Sequence, residues 1–120
     1  MHELSIAHAV VSTVTQALPV PHPRVRQVRV RIGELSGVVP QALEFAYEVA
    51  AQGTALADAV LVIDREPVVV ACPTCGPQQL AGTTDFRCPS CGVPCGDVIA
   101  GKDLQVVDVT LDDAVLEEAR

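Results

Sequence analysis

The sequence is poor in aromatic, basic and histidine residues. Aromatic residues make up 2% of the chain, Trp is absent, and only three residues are His. Eight Lys and Arg residues stand against 15 Asp and Glu residues, which gives a formal net charge of -7. A protein that binds nucleic acid needs a basic face for the phosphates, and a single-strand binder also needs aromatic side chains for stacking. This composition therefore argues against a nucleic-acid partner.

Motifs of the common enzyme and membrane classes are also missing. The chain has no G-x-S-x-G, no H-E-x-x-H and no phosphate-binding Gly-rich loop. No segment approaches the roughly 20 apolar residues that cross a membrane. The opening residues Met1-His2-Glu3 lack the basic region that begins a secretory signal. We therefore expect a cytoplasmic protein that is not an enzyme and has no membrane partner.

Two C-P-x-C-G units, at residues 72–76 and 88–92, carry the clearest chemical signal. The spacing C-x2-C-x12-C-x2-C suits two tight turns that hold one metal ion through four thiolates. Such a site leaves no open coordination position, so the metal should be structural zinc. Two disulfides are an alternative, but a two-residue loop is poor disulfide geometry. The predicted zinc ligands are Cys72, Cys75, Cys88 and Cys91.

A fifth cysteine, Cys95, follows the second unit closely. It could compete with Cys91 as a zinc ligand, or it could be a spare thiol. We favour the spare thiol, because Cys91 completes the matched unit. A redox-active thiol pair is a further alternative for either unit. That motif opens a helix after a strand, whereas Gly and Pro surround both pairs here.

Apolar periodicity predicts the elements of an α+β fold. The patterns indicate helices over 4–18 and from Pro40 to near Gly53. Alternation over 26–32 predicts a half-buried strand. Residues 60–63 and 68–71 look like one strand bent at Pro67, and residues 104–111 like a last strand.

These elements predict two helices on one face of a small mixed sheet of about three strands. The strand–helix–strand order favours parallel pairing of the first two strands. The cysteine module is inserted in this sheet as a zinc ribbon, and the last strand should lie beside the strand that leads into it. Phe45 lies off the buried stripe of the second helix, so it could cover an edge or a partner surface, but we expect it to pack in the core. Residues from Asp112 onward should fray.

His2 occupies an unusual position beside the chain's own α-amino group. The amine, the amide nitrogen of His2 and its Nδ1 can close adjoining chelate rings on one ion. Such nitrogen-rich donor sets suit Ni(II) or Cu(II). From these residues alone, His2 could equally be an ordinary histidine at the start of a helix. The fourth ligand could come from Glu3 or from outside the chain.

Several segments together resemble the HypA/HybF family of hydrogenase maturation factors, the nickel-incorporation proteins. The resemblance covers nearly the whole chain. It is carried by Met1 to Ser5, Ile32 to Val38, the P-x-A-L-x-F-A-Y pattern of Pro40 to Tyr47, the paired C-P-x-C-G units, and Gly101-Lys102-Asp103-Leu104.

The resemblance implies a nickel metallochaperone. Its nickel site maps onto Met1 (as the amine), His2 and Glu3, and its zinc site onto the four paired cysteines. The implied partners are the nickel GTPase of hydrogenase maturation and the large subunit of a [NiFe]-hydrogenase, and some members also serve urease. The implied domains are a nickel-binding α/β domain over 1–71, completed by 96–120, and a zinc-binding module over 72–95.

Three positions depart from, or blur, the family pattern, and one of them is the fifth thiol, Cys95. Position 8 is His, where an acidic or small residue is more usual, and Asp103 replaces a common Glu. His8 lies about 120° from His2 around a helix, so these two cannot simply share one metal. The alternative function is a zinc-ribbon interaction module, or a nucleic-acid-binding one, without a nickel role.

Overall fold

The structure is a computed structural model that describes residues 3–112 and the backbone of 115–117. Within these residues, no helix is both long and apolar enough to cross a membrane. The helices and strands are α1 (Glu3–Ala17), β1 (Val25–Gly33), α2 (Pro40–Ala50), β2 (Val60–Glu66), β3 (Val69–Cys72), β4 (Gly76–Gln79), β5 (Val98–Ala100), β6 (Leu104–Leu111) and β7 (Val115–Glu117).

The strands form two sheets. One sheet has the strand order β2-β1-β6-β7, and the other has the order β4-β3-β5. In the smaller sheet, β3 pairs antiparallel with both of its neighbours. The α+β class, the two helices and the inserted cysteine module are thus confirmed. The main sheet has four strands, and the module brings a three-stranded sheet of its own.

Two details of the predicted strand arrangement are wrong. The segments on either side of Pro67 are separate strands, β2 and β3, and they belong to different sheets. Pro67 has no N–H for a strand ladder, so pairing is interrupted there. The last long strand, β6, lies beside β1 instead of beside β3. β3 pairs instead with β5, which a turn at Gly101 (φ 90°) separates from β6.

The predicted fraying after Asp112 is also wrong for residues 115–117. These residues form β7, which pairs antiparallel with β6. Asp112 itself accepts a hydrogen bond from Arg26 Nη1 at 3.2 Å. The frayed end was predicted from the acidic, Ala-rich composition of this stretch. The stretch also contains the apolar pair Val115-Leu116, and Val favours strands.

The described chain divides into two compact units. The cysteine unit consists of Arg31–Gly37 and Asp64–Leu104, and the helical unit contains α1, α2 and the rest of the described chain. In the helical unit, α1 packs against α2. Their buried side chains are Ala7, Val10, Val11 and Val14 on α1, and Leu43, Ala46, Tyr47 and Ala50 on α2. The predicted boundaries of a nickel-binding domain and a zinc-binding module concern function, and they stay a prediction.

Phe45 is a further correction to the sequence interpretation. It was expected in the core, but 72% of the residue is exposed. The periodicity of α2 explains this, because Phe45 lies off the inward stripe that Leu43, Ala46, Tyr47 and Ala50 form.

Candidate metal centre

The first C-P-x-C-G unit forms the turn of a β-hairpin. β3 ends at Cys72 and β4 begins at Gly76, and these two residues are partners in the antiparallel register. The three residues between them make the turn, which brings Cys75 back towards Cys72. Gly76 has a φ of 80°, which a residue with a side chain rarely adopts. The hairpin therefore sets the spacing of the first thiol pair.

The second unit is a loop closed by backbone hydrogen bonds. Gly92 N donates to Cys88 O at 2.8 Å, and Cys88 N donates to Val93 O at 2.8 Å. An antiparallel bridge between Arg87 and Pro94 lies outside this turn. Gly92 has a φ of 82°, which matches Gly76 in the first unit. The glycine that ends each unit thus adopts the same left-handed conformation.

The fold brings the four predicted zinc ligands together. The Sγ atoms of Cys72, Cys75, Cys88 and Cys91 all lie within 4.8 Å of one another. Cys72 Sγ and Cys91 Sγ are 3.6 Å apart. Tetrahedral zinc with Zn–S bonds of about 2.3 Å places its sulfur ligands roughly 3.8 Å apart. The donor set and its spacing therefore fit a four-thiolate zinc ion.

Cys95 does not belong to this group of sulfur atoms. Its side chain is buried, and its Sγ donates to Val93 O at 3.4 Å. All five cysteines are free thiols in the structure. Cys95 packs instead with the apolar core of the cysteine unit, which includes Val68, Val70 and Leu80.

The four sulfur ligands differ in exposure. Cys72 and Cys88 are buried in the core of the cysteine unit, whereas Cys75 and Cys91 are exposed. The first cysteine of each pair therefore anchors the site to the core, and the second faces solvent. Within the described residues, this is the one group of three or more potential ligands that could hold a metal ion.

The thiols of the site also differ in acidity. The backbone N–H groups of Cys75 and Thr74 lower the pKa of the Cys72 thiol to about 6. Hydrogen bonding to the sulfurs of Cys91 and Cys88 raises the pKa of Cys75 to about 12. Four adjacent thiols cannot all ionise without a compensating positive charge. A bound dication supplies that charge, so this donor set favours a metal.

Two side-chain contacts outside the cysteines brace the site, and the sequence analysis missed both. Ser90 Oγ in the second unit donates to Gln78 Oε1 on β4 at 3.0 Å, which links the two units directly. Asp85 accepts hydrogen bonds from the backbone and guanidinium of Arg87. The Arg87 guanidinium lowers the pKa of Asp85 to about 2. The D-x-R spacing could have indicated the Asp85–Arg87 pair, but no local pattern marks Gln78.

Two of the segments that carried the resemblance, Ile32–Val38 and Gly101–Leu104, are joined by backbone hydrogen bonds. Gly33 N donates to Asp103 O, and Leu35 N donates to Gly101 O, each at 2.8 Å. Glu34 N donates to Glu66 O at 3.0 Å. The Ile32–Val38 and Gly101–Leu104 stretches are thus hydrogen-bonded to each other, a relationship that their spacing in the sequence does not reveal.

The predicted nickel ligands lie mostly outside the described residues. Met1 and His2 are not described, and Glu3 is the first residue of α1, with a half-buried side chain. Of the other histidines, His8 is exposed on α1. His22 is exposed too, and its Nδ1 lies 3.1 Å from Pro19 O. The nickel site therefore stays a prediction.

Comparison with known proteins identifies the family. A family model described as "Hydrogenase/urease nickel incorporation, metallochaperone, hypA" matches residues 1–111. This protein belongs to the HypA family. The family is one of metallochaperones for nickel incorporation in hydrogenase maturation, which confirms the resemblance seen in the sequence.

Individual HypA proteins resemble the chain over most of their length. It is 47% identical to the hydrogenase maturation factor HypA of Chloroflexus aggregans over 109 residues, which cover 89% of this chain and 96% of that one. It is 40% identical to the HypA of Streptomyces avermitilis, with 94% and 88% covered. The solution structure of the nickel metallochaperone HypA from Helicobacter pylori has the same fold, with a TM-score of 0.68 at 21% identity. The alignment covers 98% of this chain and all of that one.

Proposed function

We propose that this protein binds Ni(II) at its N-terminus and delivers it for assembly of the [NiFe]-hydrogenase active site. The observation that carries the proposal is the family match over residues 1–111, which includes Met1-His2-Glu3. The proposed ligands are the α-amine of Met1, His2 and Glu3. Nickel is cargo in this scheme, so its site must bind the ion and also release it.

The proposed nickel ligands should give a site that depends on pH. An unperturbed α-amine has a pKa of about 7.7–8.0 and an unperturbed His about 6.5. Both must lose a proton before they can bind a metal. Affinity should therefore be highest above the pKa of the amine and should fall as the pH drops through both values.

We propose that Cys72, Cys75, Cys88 and Cys91 hold a structural Zn(II). The four Sγ atoms, all within 4.8 Å of one another, supply a complete tetrahedral donor set. Zinc offsets half of the negative charge of four thiolates and, once bound by all four, has no position left for a substrate. The small core of the cysteine unit supports this role, because such modules need metal to fold.

We propose a separate role for each of the two predicted domains. Residues 1–71, completed by 96–120, would bind nickel, and residues 72–95 would hold zinc and shape a partner surface. The proposed partners are the nickel GTPase of hydrogenase maturation and the hydrogenase large subunit, with urease accessory proteins as a further class. The proposed location is the cytoplasm, and no enzymatic activity is proposed.

Complementation of a strain that lacks this protein tests delivery. The wild-type chain should restore hydrogenase activity, and His2→Ala should not. His8→Ala is the matched control, because His8 is an exposed histidine on the same N-terminal segment. Full activity with His2→Ala would contradict the proposed nickel ligand. A chain with residues 72–95 replaced by a short loop should keep some nickel binding and lose delivery.

A further inference from the structure

Phe45 is a large apolar side chain that the fold leaves in water. It lies on α2 with 72% of the residue exposed, although the chain has only two Phe residues. The stripe of α2 that faces the core is formed by other residues and is buried without it. Removing an aromatic side chain from water is strongly favourable. The fold of the isolated chain does not gain this free energy at Phe45.

Other apolar residues on the same helix extend the exposed surface. Val49 follows Phe45 by one helical turn and is 47% exposed. Val39, the N-cap residue of α2, is also 55% exposed, but it precedes Phe45 by six positions and lies about 120° from it around the helix. Single exposed apolar residues are ordinary on a protein surface. Phe45 and Val49 are neighbours on one face of the helix, and such an exposed apolar patch is typical of an interaction site.

The charged residues of α2 are both acidic. Glu44 and Glu48 flank Phe45 on α2, and both are exposed. Neither has an ion-pair partner among the residues that the structure describes. Between Arg31 and Arg65 the sequence has no Lys, Arg or His. Its acidic residues there are Glu34, Glu44, Glu48, Asp58 and Asp64.

A groove runs beside the same face of α2. It has a volume of about 370 Å³ and is lined by Glu44, Tyr47, Glu48, Asp58, Val60 and neighbouring residues of 57–61. Val60, at the start of β2, is itself 61% exposed. The lining of the groove thus combines apolar residues with three carboxylates, and one of these, Asp58, is paired with Arg24.

We propose that this surface docks a basic amphipathic helix of a partner protein. The surface, called here the α2 outer face, consists of Glu44, Phe45, Glu48 and Val49. Apolar residues of the partner helix would cover Phe45 and Val49, and its Lys or Arg residues would reach Glu44 and Glu48. The inference needs no nickel or zinc, so it does not depend on the proposed metal sites.

Charge and backbone chemistry favour this occupant over others. A second copy of the chain would place its own Glu44 and Glu48 against the same residues, which is repulsive. Anionic lipid would be repelled in the same way. The middle of a helix has no free backbone groups for an added strand, so recognition must use side chains, as in helix-in-groove binding.

A synthetic peptide pair tests the proposal directly. One peptide has roughly 18 residues, about five helical turns, with Leu on one face and Lys on the other. The second has Glu in place of Lys. Fluorescence anisotropy should show binding of the Lys peptide and none of the Glu peptide. Amide NMR shifts on adding the Lys peptide should centre on residues 44–49.

Variants separate the two parts of the surface. Phe45→Ala should weaken binding about tenfold or more, as loss of an aromatic anchor does. Glu44→Gln with Glu48→Gln should flatten the salt dependence of binding. Val20→Ala is the matched control, because Val20 is 87% exposed but lies far along the chain from α2. It should bind like the wild type. Thermal unfolding should be unchanged in Phe45→Ala, because the side chain it removes is exposed.

Three results would overturn the proposal. They are equal binding by Phe45→Ala and wild type, NMR shifts centred away from α2, and equal binding of the Glu and Lys peptides. A dimer in analytical ultracentrifugation that Phe45→Ala dissolves would also overturn it, because the occupant would then be a second copy of this chain.

Discussion

Gly33 packs so closely against the backbone of Gly101 that Gly33 cannot carry a side chain. A Cβ built on Gly33 would overlap the carbonyl group of Gly101. A Cβ on Gly101 would lie 2.5 Å from Pro67 O. Gly101 also has a φ of 90°, which strains any other residue. These two glycines hold three segments of the cysteine unit in backbone contact.

Alanine at either glycine should therefore destabilise the cysteine unit. Gly33→Ala and Gly101→Ala should each lower the free energy of unfolding by about 1–3 kcal/mol, as overpacking does. Gly82→Ala is the control, because a Cβ there meets nothing within 4 Å. It should be neutral or slightly stabilising. Urea unfolding of the zinc-loaded proteins measures all three, and an unchanged midpoint for Gly33→Ala would contradict the close contact.

Zinc content should distinguish the ligands from the spare thiol. Cys75→Ala should abolish stoichiometric zinc and unfold the cysteine unit, because a structural zinc supplies much of the folding free energy. Cys95→Ala should keep one zinc per chain and lose only a little thermal stability, because Cys95 is buried but lies outside the sulfur group. Metal analysis after gel filtration measures both. Full zinc in Cys91→Ala would show that Cys95 is the fourth ligand.

The paired cysteines should react in a defined order. In the zinc-loaded protein, N-ethylmaleimide below stoichiometric amounts should alkylate the exposed Cys75 and Cys91 first. Cys72 and Cys88 are buried in the core and should follow only after the metal is released. Peptide mass spectrometry assigns the adducts. Early modification of Cys72 or Cys88 would contradict the difference in exposure.

Tyr47 should lose its proton at a higher pH than an exposed Tyr does, and the helical unit should become less stable in alkali. Burial raises its pKa from 10.0 to about 12, because a phenolate is costly in the core. The neutral form thus stabilises the folded state below pH 10, and this contribution is lost as the pH rises from 10 towards 12. As Tyr47 is the one Tyr in the chain, ultraviolet absorbance follows it alone. Tyr47→Phe should remove this part of the alkaline destabilisation, and a midpoint near 10 in the folded protein would contradict the burial.

Local sequence patterns predicted the helices and strands far better than they predicted which strands pair with each other. The helical stripe of Leu43, Ala46, Tyr47 and Ala50 gave α2, and the alternation of Val28, Val30 and Ile32 gave β1. The placement of β6 beside β1 could not be predicted in this way. It depends on the interruption at Pro67 and on the turn at Gly101, and both act through contacts between segments distant in sequence.

In the candidate metal centre too, the sequence predicted the residues but not their surroundings. The C-P-x-C-G spacing identified the four cysteines that the fold brings together, because a tight turn fixes the two thiols of each pair. It gave no sign that Cys72 and Cys88 are buried while Cys75 and Cys91 are exposed. Nor did it reveal the Ser90–Gln78 hydrogen bond, since that contact depends on how β4 lies against the second unit.

Nickel binding by chains with and without a free N-terminus tests the central claim most directly. Isothermal titration calorimetry on zinc-loaded protein should show one Ni(II) bound to the native chain. It should show none bound to His2→Ala, or to a chain extended by a few residues before Met1. The extension removes no side chain and blocks only the α-amine. If the extended chain bound one nickel as tightly as the native chain, the N-terminal site would be wrong, and His8 and His22 would be the histidines to test next.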